Sequence, residues 1–357
     1  MIDFVKGIMK WMSVTQIAFS ILAFCLAPLQ AAEDWRLDFL KAEKQKTDTE
    51  SLKKLHQSYQ SSPEELKKNI AHLGADKLSV RMAAQENILR MGKDVLPQLQ
   101  QMTPPPDAEA RVRFRHIQDR LMLHQSWDSP QLVQMAAAGL LYERENPGKA
   151  HPSRKMFVEF FRQPADSLQK GYRRMRWLSA GDLDGRVAEE TLRFTGKRRI
   201  VEGDQRLYVS AQEATGEKLF PDRFRIDVKI GGTAGGEGTY HVGVAVGQVR
   251  ALFHPGHETG AFRFEEVGTR RELTSNADMG FTPEAGKYVD MSIDVERLAK
   301  GRVKLTVAAS SADGVYRTTQ VFEESDIGKL DQVSLDRSGR EGGDGLFRNL
   351  VMQFALP

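Results

Sequence analysis

Four groups of side chains in this sequence have the types and spacing from which a site could be built. The first is paired carboxylates, which can divide acid and nucleophile roles across a glycosidic bond. Glu265 and Glu266 are neighbours, so on a strand they point to opposite faces and cannot work together. Asp294 and Glu296 would share one face of a strand. The second kind is imidazole. In His254-Pro255-Gly256-His257-Glu258, a Pro-Gly turn centre would bring His254 and His257 within reach of one ion. The plainer alternative is a β-turn carrying two exposed histidines. The third is the acidic loop Gly181-Asp182-Leu183-Asp184-Gly185, where Asp182 and Asp184 could offer oxygen ligands to Ca²⁺. The loop lacks the longer ligand series of a dedicated calcium site, and a turn or capping role competes. Trp177, Tyr240, Tyr288 and Tyr316 are candidates for the exposed aromatics a sugar-binding surface needs, the alternative being that they belong to a core, as most aromatics of a β-sandwich do.

Other patterns lose their apparent chemistry on inspection. Gly231–Gly238 has no Lys-Ser/Thr ending and leads into a strand rather than a helix, so it reads as a hairpin loop, not a phosphate cradle. Arg111, Arg113, Arg115 and Arg120 alternate with Val112, Phe114 and Ile117 and are answered by Asp107, Glu109 and Asp119. That is a solvated helix face with ion pairs, and no nucleic-acid partner is expected. The formal net charge of +3 on 357 residues demands neither nucleic acid nor an anionic membrane. Cys25 is the only cysteine, so disulfides and thiolate metal sites are excluded.

The address comes from residues 1–32. Lys6 and Lys10 precede an uncharged run from Trp11 to Gln30, and the small pair Ala31-Ala32 follows. This is the make-up of a secretory signal peptide cleaved near Ala31 or Ala32, which implies a periplasmic or secreted protein. An uncleaved anchor is the alternative, but Ser13, Thr15, Gln16, Ser20 and Pro28 interrupt the apolar run, so no stable span is expected after cleavage. Phe24 before Cys25 does not fit a lipid-attachment site.

The elements that must position these residues fall into two textures. Residues 33–124 are poor in glycine and rich in Leu, Lys, Glu and Gln, which predicts helices. Ser62-Pro63-Glu64-Glu65 is a helix start, with a capping hydroxyl and proline in the first turn. Further helices are expected over Ser79–Met91, Asp94–Met102 and after Asp107, the last with Val112, Ile117 and Leu121 inward. Val80-Arg81 recurs as Val112-Arg113, and Leu89 as Leu121. With Leu73-Gly74-Ala75-Asp76 and Met91-Gly92 before Val95-Leu96-Pro97, this wording resembles HEAT-type repeats over about Pro63 to Leu123. The resemblance implies a rigid protein-binding surface or spacer. A plain helical bundle is the alternative. Residues 125–154 read as a linker with one helix from Ser129 to Glu145.

From 155 to 357 glycine becomes frequent, and short alternating runs such as Phe224–Ile230 and Val303–Val307 lie between turn residues. About ten such strands without long helices predict an antiparallel β-sandwich. Phe157–Phe161, Gly203–Val209, Phe220–Phe224 and Gly345–Val351 resemble the strands of the concanavalin A-like lectin/glucanase jelly roll, a family that includes lectins, laminin-G-like modules and glycoside hydrolases. The whole order resembles secreted proteins of planctomycete-type bacteria. The hydrolases of that family commonly use Glu-x-Asp-x-x-Glu on one strand. Here Asp227 is present, but Arg225 and Ile230 occupy the outer positions, and no third acid follows Asp294 and Glu296 at the required spacing. The expected protein is therefore α then β, a HEAT-like helical region followed by a jelly-roll sandwich. Its expected role is to present a non-catalytic module to a glycan or envelope protein. A divergent carbohydrate-active hydrolase and a structural envelope component remain the alternatives.

Overall fold

The computed structural model describes residues 34–58, 62–124, 127, 129–162, 175–177, 185–195, 205–234, 240–257, 260–339 and 342–354. The signal-like segment, Asp182, Asp184 and Glu258 lie outside them. Among the described residues no helix is long and apolar enough to cross a membrane.

Among the described residues seven α-helices precede the strands: α1 (Trp35–Ala42), α2 (Thr49–Ser58), α3 (Pro63–His72), α4 (Leu78–Arg90), α5 (Leu96–Gln101), α6 (Ala108–Leu123) and α7 (Ser129–Glu145). Local chemistry sets their starts. The Ser62 side chain accepts from Glu65 N at 3.1 Å with Pro63 in the first turn, and Asp107 accepts from Ala110 N at 2.8 Å. Helices α3 to α6 close a core of their own around Leu66, Ile88, Leu99, Phe114, Ile117 and Leu121. The inward stripe of α6 is Ala110, Phe114, Ile117 and Leu121. Val112, expected inward, faces solvent at 66% exposure because it falls outside that i, i+4, i+7 spacing. Arg81 and Arg113, the echoed pair, both reach Glu109, at 3.1 and 2.9 Å.

Fourteen strands follow among the described residues. One sheet has eight: β1 (Met156–Glu159), β3 (Gly185–Ala188), β4 (Thr191–Phe194), β6 (Arg223–Gly232), β10 (Tyr288–Leu298), β11 (Arg302–Ser310), β12 (Val315–Glu323) and β14 (Gly345–Gln353). Its order is β12-β11-β10-β6-β14-β4-β3, with β1 also on β14. The other sheet has six: β2 (Arg176–Trp177), β5 (Gln205–Ser210), β7 (His241–Val246), β8 (Val249–Phe253), β9 (Arg263–Glu266) and β13 (Gln332–Ser338), ordered β2-β5-β13-β7-β8-β9. Every recorded pairing is antiparallel. The inner faces meet in one core that includes Phe224, Ile226, Val228, Ile293, Val244, Leu335 and Phe347. This is a two-sheet sandwich.

The alternation of β6 sends Phe224, Ile226, Val228 and Ile230 inward, leaving Arg225, Asp227 and Lys229 on the outer face. That outer face is not left to solvent. Trp35, Phe39, Leu52, Trp127, Leu132 and Val133 pack with Met156, Val158 and Val351 in a second core. Residues 125–154, expected as a linker, thus carry in α7 a helix seated on β1 and β14, and Trp35–Pro357 forms one compact unit. Strand β14 pairs with β4 through Gly345–Phe347 and with β1 through Leu350–Gln353. A bulge between Arg348 and Val351 separates the two pairings, with Asn349 at φ 50°. Asn tolerates that left-handed backbone, and its side-chain amide donates to Trp127 O at 3.0 Å.

Candidate functional site

Two polar faces compete for the role, one on the outside of each sheet.

On the eight-stranded sheet, register places Asp294 opposite Arg225, Ser292 opposite Asp227 and Asp290 opposite Lys229. Three carboxylates therefore do gather here, but each is engaged. Asp227 accepts from Arg225 Nε at 3.0 Å, Ser292 Oγ at 2.5 Å, Trp127 Nε1 at 3.0 Å and Gln353 Nε2 at 3.2 Å. Arg225 also donates to Asp294 at 3.2 Å and to the Leu123 carbonyl. Asp290 binds Lys229 Nζ at 2.9 Å and Arg120 Nη2 at 2.8 Å. Burial alone would raise the Asp290 carboxyl, but the Lys229 and Arg120 charges hold it well below the usual range. Such an acid has no proton to give at neutral pH. This face is a seat for the helical layer.

His124, Ser292 and Asp227 superficially match a serine-hydrolase set, with His124 Nδ1 2.8 Å from Ser292 Oγ. The order is wrong for catalysis. Ser292 lies between the other two and donates its proton to Asp227, so it must accept from His124 Nδ1–H. In a working triad the histidine stands in the middle as the base. Burial pushes His124 down to about 4, so it is neutral in the folded protein. The unfolded imidazole takes up a proton near pH 6.5 while the folded one waits until about 4. Stability complete above pH 6.5 is therefore lost as pH falls through that window, by about 3 kcal/mol for this group alone. Denaturant titrations at pH 7 and pH 4 should show a smaller pH difference for His124→Asn than for the unaltered chain. Equal differences would remove His124 as the cause.

The six-stranded sheet presents the other face. Leu207, Val209, Val333, Leu335, Val242, Val244, Ala251 and Phe264 point inward, so alternation puts Arg206, Tyr208, Ser334, Asp336, His241, Arg250, Arg263 and Glu265 outward. Their charges alternate across the strands. Arg206 Nε lies 3.2 Å from Asp336 Oδ2 and Arg206 Nη2 donates to Ser334 Oγ at 3.2 Å. Ser334 Oγ donates to Asp336 at 2.6 Å. Arg250 donates to Glu265, and its other nitrogen stands 3.9 Å from Asp336. Arg263 Nη2 reaches Glu265 Oε2 at 2.6 Å and Nη1 reaches Glu272 at 2.9 Å. Arg250, Glu265 and Asp336 are fully buried, whereas the Arg206 and Arg263 side chains keep 11% and 17% exposure. Arg250 on β8 can approach Asp336 on β13 because intervening β7 offers only Gly243 and Ala245 there. At Gly243 a Cβ would sit 1.8 Å from Ala251 O.

At one corner of this face stand three imidazoles. His241 and His254 follow the Val242–Phe253 pair in register, and their ring centres are 5.4 Å apart. His254 and His257 are also 5.4 Å apart. His257 N donates to His254 O at 3.3 Å around Pro255 and Gly256, with Gly256 at φ 77°, which is the predicted β-turn in its type II form. Burial pushes His241 down to about 3, with Arg263 and His254 adding to it, and burial lowers His254 as well. Among the described residues no three His, Cys, Asp or Glu groups already converge as a closed ligand set.

The expected aromatic surface is not assembled. Tyr240 is buried: its hydroxyl donates to Thr233 O at 2.6 Å and the Arg337 guanidinium lies over its ring at 5.2 Å. Tyr288 is half-buried under Arg348 at 4.8 Å, on the sheet whose face seats the helices, and Tyr316 packs on Phe262 at 5.1 Å. Trp177 is in β2, with its side chain outside the described set. Tyr208 was missed by the sequence reading, although its alternation with Leu207 and Val209 marks it as outward. Arg250 also left a trace, a charge inside the apolar run Val249–Phe253.

No protein family matches this chain, and no curated protein sequence does. Solved structures similar to it include lectin II from Ulex europaeus, at 9% identity and TM-score 0.38 over 56% of this chain and 97% of that one. A peanut lectin bound to a nine-residue peptide is similar at 7% identity and TM-score 0.38, over 57% and 98%. A double mutant of alginate lyase Aly36B in complex with alginate tetrasaccharide is similar at 7% identity and TM-score 0.36, over 56% and 97%. At TM-scores below 0.5 these likenesses carry no weight for function.

Proposed function

We propose that this is an exported, non-catalytic binding protein, periplasmic or secreted, whose jelly-roll sandwich takes a glycan on the outer face of the six-stranded sheet. The helices act as a HEAT-like spacer and buttress on the opposite side. One observation carries the reading: one sheet's outer face is occupied by the helical layer, while the other's, fully buried at its centre around Arg250, Glu265 and Asp336, keeps Arg206, Tyr208, Arg263, His241 and His254 at intermediate exposure around that centre. Planar guanidinium and imidazole groups beside a phenol ring suit the hydroxyls and flat faces of sugar rings. Binding is favoured over hydrolysis because the carboxylates of that face are locked to guanidinium groups, and a general acid must hold a transferable proton. A protein ligand on the same face is the other outcome to be separated.

Incubation of the full chain with a panel of neutral and acidic polysaccharides decides it. Retention of at least one glycan without new reducing ends or chain cleavage is expected, weakened about tenfold by Tyr208→Ala. Product release would establish the hydrolase instead, and no retention across the panel would sink the glycan reading.

A further inference from the structure

His241 and His254 stand at the rim of the proposed glycan face, and with His257 they make a cluster whose spacing a sugar does not require. They come from three different local structures: the first residue of β7, the residue just past β8 and the far side of a type II turn. Cross-strand register fixes the first pair and the Pro255-Gly256 turn fixes the second, so backbone geometry rather than chance rotamers brings the rings together. With metal–nitrogen bonds of about 2.0–2.1 Å, two imidazoles on one tetrahedral ion hold their ring centres about 5 Å apart. The 5.4 Å spacing of both pairs lies close to that value. The rings are tilted by 39° and 50° rather than stacked face to face.

We propose that these three histidines form a binding site for a borderline transition ion of the Zn²⁺ or Ni²⁺ class, with His254 as the shared central ligand. The ring contacts are pairwise, His241 with His254 and His254 with His257, and closure requires His257, which is exposed on its turn, to swing toward His241. Imidazole-only ligation selects zinc, nickel or copper over calcium, whose ligands are oxygens. With three protein ligands, one coordination position remains for water or a ligand group. The site lies at the corner of the proposed glycan face but does not depend on it, because metal uptake is read without any sugar.

The test uses the full chain freed of metal by chelator dialysis, titrated calorimetrically with ZnCl₂ and separately with NiCl₂. About one equivalent should bind. His254→Ala should abolish uptake, and His257→Ala and His241→Ala should each weaken it about tenfold or more. His72→Ala, in the helical layer, should change nothing. Because His254 is half-buried, a thermal melt accompanies its variant. Should that variant misfold, His257→Ala decides alone, since its side chain is exposed on the turn. Less than about a tenth of an equivalent in the unaltered protein, or binding unchanged in His257→Ala, overturns the proposal.

Discussion

Asp227→Ala should lower stability by about 3–5 kcal/mol, the cost typical of stripping one partner from a buried ion pair. Four side chains converge on this carboxylate: Arg225, Ser292, Trp127 and Gln353. Alanine leaves the Arg225 guanidinium, already withdrawn from water, with only Asp294 at 3.2 Å and the Leu123 carbonyl. It also deprives the Trp127 indole N–H and the Ser292 hydroxyl of their acceptor, each an additional penalty in a buried setting. For a chain of this size the loss corresponds to a fall in Tm of roughly 5–10 °C. Because Trp127 belongs to the helical layer, its fluorescence should report the loosening directly. A double variant, Arg225→Met with Asp227→Leu, should recover much of the loss, because it removes both charges rather than one. If Asp227→Ala melts within a degree of the unaltered chain, Asp227 is not the link between the layers.

Arg250→Ala is expected to cost a similar amount, about 3–5 kcal/mol, for a different reason. Here two fully buried carboxylates, Glu265 and Asp336, share one buried cation between them. Removing it takes a cation from both acids and puts more of the load on Arg263, 2.6 Å from Glu265, and Arg206, 3.2 Å from Asp336, both partly exposed and each closer to the edge of the network. Arg250→Lys should restore only part of the stability, since an ammonium cannot present parallel donors to two acids on different strands. Urea titration of the three proteins side by side is sufficient. A lysine variant as stable as the original would show that charge, not fork geometry, holds the row.

The contrast between these networks explains what could be read from the sequence. Helix limits were legible where the signal is local. Ser62 and Asp107 do cap α3 and α6, and α7 spans Ser129–Glu145, because caps and prolines act over three or four residues. Alternation made β6 and β11 visible for the same reason. Strand β13 escaped, although it is internal to its sheet. Its run Gln-Val-Ser-Leu-Asp-Arg-Ser has only Val333 and Leu335 as apolar markers, and Arg337 breaks the period by turning inward over the Tyr240 ring. The sandwich class was legible from strand counting, whereas the helical layer on its outer face was not. The Trp127–Asp227 contact spans 100 residues and Arg120–Asp290 spans 170, and no periodicity encodes a pairing at that distance. The same limit hid the third histidine. His254 and His257 sit on one turn, but His241 joins them only through strand register.

The position of β14 has a bearing on how the molecule comes into being. Residues 345–353 lie between β6 on one side and the end-to-end pair β4 and β1 on the other, and Val351 helps floor the core beneath the helices. A chain emerging from its point of synthesis would hold β6, β10, β11 and β12 as one half-sheet, with β1 and the β3–β4 hairpin unattached to it, until this stretch appeared. Joining of the eight-stranded sheet must therefore wait for these nine residues, which are made after every other described strand of that sheet and complete the floor on which the helices rest.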